Sequence, residues 1–192
     1  MPSVTSRRAT PSPVPAFEIR RSAIAGAGAY ALRLIKKGEK IIEYVGERVS
    51  HPVADARYDD AAEHDHHTFL FAVSSRTVID ATVGGNDSRF INHSCEPNCE
   101  TEIEKGRVFV FALRDIKVGE ELAYDYAYER DGTETEKEER YYKCLCGSPM
   151  CRGTIMEPKS ELLKRQRAKQ RALAKKRKAV KKKTKAKKPS KR

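Results

Sequence analysis

The sequence has no apolar run approaching the ~20 residues that a helix needs to cross a bilayer. Residues 1–15 are rich in Ser, Thr, Pro and Arg and lack the apolar core of a secretory signal. These two absences predict a protein of a reducing compartment with no membrane partner. In such a compartment the five cysteines indicate metal binding or thiol reactivity before disulfide bonds.

Acidic residues are nearly missing from the C-terminal segment, although the chain as a whole has a net charge of +12. Residues 161–192 contain 17 lysines and arginines and one acid, so the rest of the chain is mildly acidic. Because like charges repel and no apolar stripe is present, we expect residues 158–192 to form a disordered Lys/Arg-rich tail. Such a tail can bind DNA phosphates without reading bases, or it can serve only solubility or localisation.

Short apolar runs separated by glycines predict a mainly β domain over residues 16–128. The clearest run is 107–112, in which Val108, Val110 and Ala112 share one face and two phenylalanines share the other. Residues 1–15 are predicted to be a disordered leader and residues 50–67 a helical or irregular insert. Residues 129–142 are predicted to be a charged linker with no core positions.

Three short motifs rich in chemically reactive residues follow one another along the chain, and their order is characteristic of a protein family. The first is RFINHSCEPNC at 89–99, which combines an asparagine, a histidine and two cysteines. The second is GEELAYDY at 119–126, and the third is the cysteine cluster CLCGSPMC at 144–151. Together they resemble a SET-domain protein-lysine methyltransferase with a post-SET zinc module, over about residues 17–155 of this sequence.

The resemblance implies a fold of short curved β-sheets with a pseudoknot-like C-terminal crossing, and a post-SET zinc module at residues 143–157. The cysteine-rich pre-SET region of some relatives has no counterpart, since residues 1–16 contain no cysteine.

A cofactor site for S-adenosylmethionine is also implied. The glycine turn Gly26-Ala27-Gly28 is by itself more typical of a plain turn, but the resemblance makes it a backbone approach to the cofactor. An asparagine amide can meet both the ammonium and the carboxylate of the methionine moiety, and backbone groups can read the adenine edge. The implied cofactor-binding residues are Gly26, Ala27, Gly28, Arg89, Asn92 and His93.

Methyl transfer to lysine requires a neutral amine. An ordinary lysine has a pKa of ~10.4, so deprotonation near neutral pH costs about 4 kcal/mol. An apolar channel beside a sulfonium lowers this cost, because both disfavour the ammonium. By resemblance Tyr126 orients the amine, while Tyr44, Phe71 and Tyr124 shape the channel. A tyrosine at 124, where the family has Phe or Tyr, favours mono- or dimethylation.

The cysteine cluster offers three thiols, Cys144, Cys146 and Cys151, whereas tetrahedral zinc takes four ligands. The family draws the fourth from the first motif, which is Cys95 here. Cys99 is interpreted as a structural residue. The histidine-rich run at 64–67 is assigned no metal, since adjacent positions cannot all converge on one ion.

These inferences predict a monomeric S-adenosylmethionine-dependent protein-lysine N-methyltransferase with structural zinc, acting on a histone tail or another basic DNA-associated protein. It is expected in the nucleus at chromatin if the host is eukaryotic, and in the cytoplasm or nucleoid if the host is bacterial or archaeal. The alternative is a nonenzymatic, zinc-containing chromatin or nucleic-acid-binding protein. The presence of Asn92, His93 and Tyr126 speaks against that alternative.

Overall fold

The computed structural model describes residues 14–58 and 68–186, with side chains described to residue 176. In it, the alternating apolar run Arg107–Ala112 (β9) forms the central strand of a three-stranded antiparallel sheet. Val108, Val110 and Ala112, which the alternation placed on one face, are buried, and Phe109 on the other face is buried as well. The leader 1–13, the run 64–67 and the last six residues of the chain lie outside the described ranges.

Within the described residues the architecture consists of ten short strands in four small sheets, which confirms the predicted mainly β fold. The antiparallel sheets have the orders β1–β2, β3–β9–β8 and β4–β6–β5, and β7 pairs with β10 in parallel. The strands are β1 Phe17–Arg21, β2 Ala27–Ala31, β3 Lys40–Tyr44, β4 Glu47–Val49, β5 Leu70–Ser74, β6 Thr77–Asp80, β7 Asn92–His93, β8 Cys99–Glu104, β9 Arg107–Ala112 and β10 Ala123–Tyr124.

Three α-helices and one 3₁₀ helix complete the described part of the chain: α1 His51–Tyr58, the 3₁₀ helix Asp87–Phe90, α2 Glu136–Tyr141 and α3 Lys159–Ala186. Helix α1 is fixed to β6 through the buried carboxylate of Asp80, which accepts hydrogen bonds from Arg57 (2.8 Å) and Tyr58 (3.1 Å). No helix within the described residues is both long and apolar enough to span a membrane.

The chain divides into two compact units. The first runs to Asp125 and includes Cys144–Gly153, and the second contains Tyr126–Lys143 and the segment from Thr154 onward. The core of the first unit is formed by fully buried aliphatic side chains, among them Ile35, Ile79, Ile91, Ile116 and Leu122. Residues 144–153 therefore belong to the same compact body as the sheets, although a segment of the other unit separates them in sequence.

Two predictions for the second unit are wrong. Residues 129–142 were predicted to have no core positions, but Arg130 is only 3% exposed, because Glu139 and Glu157 surround its guanidinium. Its Nη1 and Nη2 donate to the Glu139 carboxylate at 2.6 and 3.1 Å, and its Nε donates to the Glu157 carbonyl at 2.8 Å. The Thr135 capping box then begins α2.

The tail was predicted to be disordered, but residues 159–186 form α3. The helix contains good helix formers and neither Gly nor Pro, and Pro158 precedes its first residue. Tertiary contacts also stabilise the first turns of the helix, and they offset the repulsion between its like charges. The Arg165 guanidinium pairs with Glu157 at 2.7 Å and with Glu129 at 3.1 Å, and it donates to the Arg130 carbonyl.

Candidate active site and metal centre

The turn between β1 and β2 is the first part of the candidate site. Gly26 has a φ of 57°, in the left-handed region that favours glycine, and its carbonyl accepts a hydrogen bond from the Ser22 amide at 3.0 Å. The side chain of Asn92 donates from Nδ2 to the Ala27 carbonyl at 2.9 Å. The structure thus brings together the predicted glycine turn and the predicted asparagine, which is only 6% exposed.

A carboxylate that the sequence analysis did not single out lies beneath this turn. Glu121 Oε1 accepts hydrogen bonds from Ser22 Oγ and Asn92 Nδ2, both at 2.7 Å, and Oε2 accepts from the Tyr30 hydroxyl at 2.9 Å. A Cβ on Gly28 would collide with Glu121 Oε1, so Gly28 is required for this close approach. In the sequence, the segment 119–126 is notable for its two tyrosines, whereas the position of Glu121 beside Gly28 depends on the fold.

The parallel pair β7–β10 connects the two halves of the candidate site. Asn92 aligns with Ala123 and His93 aligns with Tyr124, so a predicted cofactor residue lies directly beside a predicted channel residue. Asn98 holds the pair from one side, because its Nδ2 donates to the Glu121 carbonyl (2.8 Å) and its Oδ1 accepts from the Ala123 amide (2.9 Å). Asn98 was also missed from sequence.

Three of the four predicted channel aromatics form one cluster in the first unit. The rings of Tyr44 and Phe71 are 5.4 Å apart between centroids, and those of Phe71 and Tyr124 are 6.5 Å apart. The Tyr44 hydroxyl donates to the Phe69 carbonyl at 2.9 Å. These contacts place an apolar, aromatic surface next to the β7–β10 pair.

Arg89 lies against the aromatic residues next to this cluster. Its guanidinium carbon is 5.5 Å from the Phe69 ring centroid and 4.8 Å from that of Phe90, while Nη1 donates to the Ala81 carbonyl at 3.2 Å. The 3₁₀ helix that carries Arg89 is capped at its N-terminus by Asn86, whose side chain accepts from the Ser88 amide and donates to the Glu43 carbonyl. This helix sets the direction in which the chain enters β7.

Tyr126 belongs to the second unit and is described with it. It directly follows Asp125, the last residue of that part of the first unit, and its ring lies 6.4 Å from the ring of Tyr128. The next residue, Ala127, has a φ of 45°, which is uncommon for a residue with a Cβ and marks a sharp change of chain direction. Tyr128 then pairs with Met156 in a short parallel bridge.

His93 is buried between an acid and a thiol. Its Nδ1 lies 3.5 Å from Asp125 Oδ1, and its Nε2 lies 3.4 Å from Cys95 Sγ. Burial lowers the pKa of His93 to about 4, with the nearby Arg152 guanidinium acting in the same direction and Asp125 opposing it. The imidazole is therefore neutral at physiological pH.

Arg152 attaches the cysteine segment to the body of the first unit. Its Nη1 and Nη2 each donate to one oxygen of Asp125 at 2.8 Å, which is the parallel two-bond geometry typical of an arginine–carboxylate pair. The hydrogen bond and charge of Asp125 raise the pKa of Arg152 further above its ordinary value. A second attachment is a hydrogen bond from the Ser148 hydroxyl to the Glu96 carboxylate.

The four predicted zinc ligands converge. The Sγ atoms of Cys95, Cys144, Cys146 and Cys151 all lie within 4.8 Å of one another, and Cys95 and Cys144 are 3.8 Å apart. Four sulfurs placed tetrahedrally ~2.3 Å from one zinc ion would be ~3.8 Å apart, so the arrangement fits the size of the ion. Among the described residues this is the group of cysteines, histidines and acids that can hold a metal.

Backbone amides point at these sulfurs, as expected for thiolates. The amides of Cys146, Arg152 and Gly153 donate to Cys144, Cys95 and Cys151 respectively, at 3.3–3.4 Å. Burial opposes ionisation of Cys146, but amide donors and neighbouring thiols outweigh it and lower its pKa to about 6. The donor set and its surroundings therefore fit zinc.

Cys99 is separate from this group. It is buried at the start of β8, and burial raises its pKa to about 12, so the thiol is neutral. This environment agrees with the structural role predicted for it.

Comparison with known proteins gives consistent results. Residues 26–127 match the SET domain family. The chain is 49% identical over 140 residues to "Histone-lysine N-methyltransferase, H3 lysine-4 specific" from Saccharomyces cerevisiae and to the protein of the same description from Eremothecium gossypii. Each alignment covers 70% of this chain but only 13% and 14% of the respective relative. The chain thus spans about a seventh of the length of these curated relatives.

A solved structure is also similar. It is described as "ctPRC2 in an autoinhibited conformation bound to S-adenosylmethionine" and shares 32% sequence identity with this chain at a TM-score of 0.53. The match covers 58% of this chain and 15% of the other.

Proposed function

The chain belongs to the SET domain family, and on that premise we propose that it is an S-adenosylmethionine-dependent protein-lysine N-methyltransferase. The observation that carries the proposal is the β7–β10 pair, which sets the buried Asn92–His93 segment beside Tyr124 and its aromatic neighbours. Polar groups for a zwitterionic cofactor and an apolar surface for an amine are thereby adjacent in one compact unit. The relatives named as histone-lysine N-methyltransferases support the same activity.

The cofactor side of the proposed site consists of the glycine turn and the Asn92–His93 segment. The turn offers backbone groups at close approach at Gly26, where a Cβ would meet nothing within 4 Å, whereas the missing side chain of Gly28 makes room for Glu121. Asn92 offers an amide held in place by its neighbours, and His93 is neutral and so adds no positive charge beside a cationic ligand. When bound, S-adenosylmethionine would supply an electrophilic methyl group on a positively charged sulfur.

The aromatic cluster is proposed to prepare the substrate lysine. An amine surrounded by Tyr44, Phe71 and Tyr124 loses hydration, which disfavours its charged form and lowers its pKa. A cationic sulfonium nearby acts in the same direction. Tyr126 is proposed to accept a hydrogen bond from the amine and to orient its lone pair towards the methyl group.

The zinc ion is proposed to be structural. With four protein ligands the coordination is closed, so the metal contributes folding energy and leaves no position for a substrate. Cys95 comes from the segment that follows β7, whereas the other three ligands come from residues 144–151. The ion would therefore fix that later segment against the part of the chain that carries Asn92 and His93.

A lysine in a histone tail, or in another basic DNA-associated protein, is the proposed substrate class. The relatives are named as specific for lysine 4 of histone H3, and the chain outside the basic tail is mildly acidic, which suits a basic peptide. In a eukaryotic host this proposal places the enzyme at chromatin, and in a bacterial or archaeal host at the nucleoid.

Replacing Tyr126 tests the activity. Tyr126→Phe is expected to reduce turnover at least ~10²-fold, the scale for loss of one positioning group, while S-adenosylmethionine affinity is retained. Tyr141→Phe makes the same chemical change on an exposed tyrosine and is the matched control. Turnover by Tyr126→Phe equal to that of the unmutated protein would remove Tyr126 from the mechanism. An unmutated protein that binds no S-adenosylmethionine would instead favour the nonenzymatic alternative.

The basic helix α3 is proposed as a DNA tether. Beyond Arg165 its described side chains are exposed, and Arg167, Lys169, Arg171, Lys175 and Lys176 can reach phosphates without a defined binding pocket. This tether would keep the enzyme close to DNA-bound basic substrates.

The tether is tested by truncation after Gln170, which keeps the contacts of Arg165 with Glu157 and Glu129. Peptide methylation is expected to stay within about threefold. DNA affinity is expected to fall, and each missing phosphate contact should flatten the dependence of log affinity on log salt concentration by ~0.9. A full-length variant with glutamine in place of every Lys and Arg from Arg171 onward is the length-matched control. DNA affinity that survives both changes would refute the tether.

A further inference from the structure

A carboxylate determines how the Asn92 amide is oriented. Glu121 Oε1 is 2.7 Å from Asn92 Nδ2, and the Ala27 carbonyl oxygen is 2.9 Å from the same nitrogen. Ser22 Oγ is a third partner of this nitrogen at 3.3 Å, and its own proton is directed to Glu121 Oε1. The Ala27 carbonyl and the Glu121 carboxylate both act as acceptors here. An amide turned by 180° would place Oδ1 against two oxygens, so the chemistry of the neighbours fixes the orientation.

The neighbouring hydroxyls reinforce this direction. Ser22 Oγ accepts from the Ile24 amide at 3.0 Å, which leaves its own proton to donate to Glu121 Oε1. Tyr30 donates to Oε2, and burial together with this acceptor raises the pKa of the Tyr30 phenol, which keeps its proton in place. Glu121 is thus an acceptor at both oxygens and holds its position between β2 and Asn92.

Both amide protons of Asn92 are therefore used within the protein. The group that Asn92 can still offer a ligand is Oδ1, which is an acceptor. An acceptor selects a cationic donor such as an ammonium group and disfavours a carboxylate.

We infer that Glu121 is a positioning residue of the cofactor site, which through Asn92 makes the site selective for the α-ammonium group of its ligand. The inference rests on the proposed function, because it concerns the binding of S-adenosylmethionine. It assigns the recognition of the ligand's carboxylate to groups other than the Asn92 side chain.

The experiment compares two ligands by isothermal titration calorimetry with the full chain. One is S-adenosylhomocysteine, the chemically stable product of methyl transfer, and the other is its analogue without the α-amino group. Each is titrated into the unmutated protein, into Glu121→Ala, Glu121→Gln and Asn92→Ala, and into the double variant that combines Glu121→Ala with Asn92→Ala. Tyr30→Phe is the matched control, since it removes one donor to Glu121 without removing the contact of Glu121 with Asn92.

Glu121→Ala is expected to weaken S-adenosylhomocysteine binding ~10- to 100-fold, the scale of a lost charge-assisted hydrogen bond, and to change binding of the amino-free analogue less than threefold. Asn92→Ala should give the same pattern, and the double variant should be no weaker than the single ones. Glu121→Gln should show the pattern at smaller amplitude, because Gln retains one acceptor oxygen, and it decides the question if Glu121→Ala does not fold.

Equal losses for both ligands would show that Glu121 supports the fold without selecting the ammonium, and would overturn the inference. Unchanged affinities would overturn it as well. If the unmutated protein bound neither ligand, the proposed function itself would fail, and that outcome is visible before any variant is measured.

Discussion

Removing Arg152 should loosen the cysteine segment 144–153 without touching a proposed zinc ligand. The Arg152 side chain is 22% exposed and that of Asp125 is 31% exposed, so water screens the pair only in part. Each hydrogen bond to a charged group contributes ~1.5–3 kcal/mol when well buried. Discounting the two bonds by about half for the exposure leaves about 2 kcal/mol, which corresponds to a ~30-fold change in the opening equilibrium of residues 144–153.

The rate of zinc transfer to a chelator measures this opening when opening precedes metal loss. Arg152→Ala is expected to release zinc ~30-fold faster than the unmutated protein. Arg152→Lys keeps the charge but loses the two-bond geometry, so it should fall between them. Arg140→Ala is the control, because the Arg140–Glu136 pair is fully solvated and contributes little. Release from Arg152→Ala at the unmutated rate would refute the reasoning.

Three further predictions follow from single side chains. The unmutated protein should bind one zinc per chain, and Cys146→Ser should abolish both zinc binding and activity, while Cys99→Ala should keep the metal. Metal analysis that finds no zinc in active unmutated protein would contradict the proposed zinc site. If the proposed activity holds, the unmutated protein should stop mainly at monomethyl-lysine. Tyr124→Phe should raise the rates of later transfers relative to the first by ~10- to 100-fold, since the hydroxyl and any water it holds occupy the space of a methyl group. Mass spectrometry decides this, and a dominant trimethyl product from the unmutated protein would overturn it. Burial opposes ionisation of Asp80, but Arg57, Thr82 and Tyr58 hold its pKa below the ordinary value, so its carboxylate stabilises the fold above pH ~4 and loses that contribution as the pH falls through the lower folded value. The difference in unfolding free energy between the unmutated protein and Asp80→Asn should therefore be about 1–3 kcal/mol at pH 7 and shrink in acid. A difference independent of pH would exclude this contribution.

The sheets were predictable where the local pattern and the fold agree. The alternation at 107–112 identified β9 to the residue, because its one face packs into the core and the pattern has the period of a strand. The tail was mispredicted because repulsion between like charges was given more weight than helix propensity. The contacts of Arg165 with Glu157 and Glu129 join residues whose proximity only the fold reveals.

The candidate site shows the same division. The four cysteines and the Asn92–His93 pair could be named because their motifs are contiguous and specific in sequence. Glu121 and Asn98 could not be named, because their roles depend on hydrogen bonds to residues that are distant in sequence: Glu121 bonds to Asn92, and Asn98 bonds to the Glu121 carbonyl. Arg130 was placed in a solvated linker for a similar reason: its two acids are supplied by α2 and by the chain after Met156.

The β7–β10 pairing also has a consequence for the order of folding. The β8–β9 hairpin lies between these two-residue strands in the sequence, so their contact closes a long loop for few hydrogen bonds. The contact is therefore expected to form late in folding and to open early in unfolding. A ligand that contacts both strands would favour the closed arrangement by mass action, so refolding in the presence of S-adenosylhomocysteine should lower the population of chains whose hairpin is formed but whose binding site is still open.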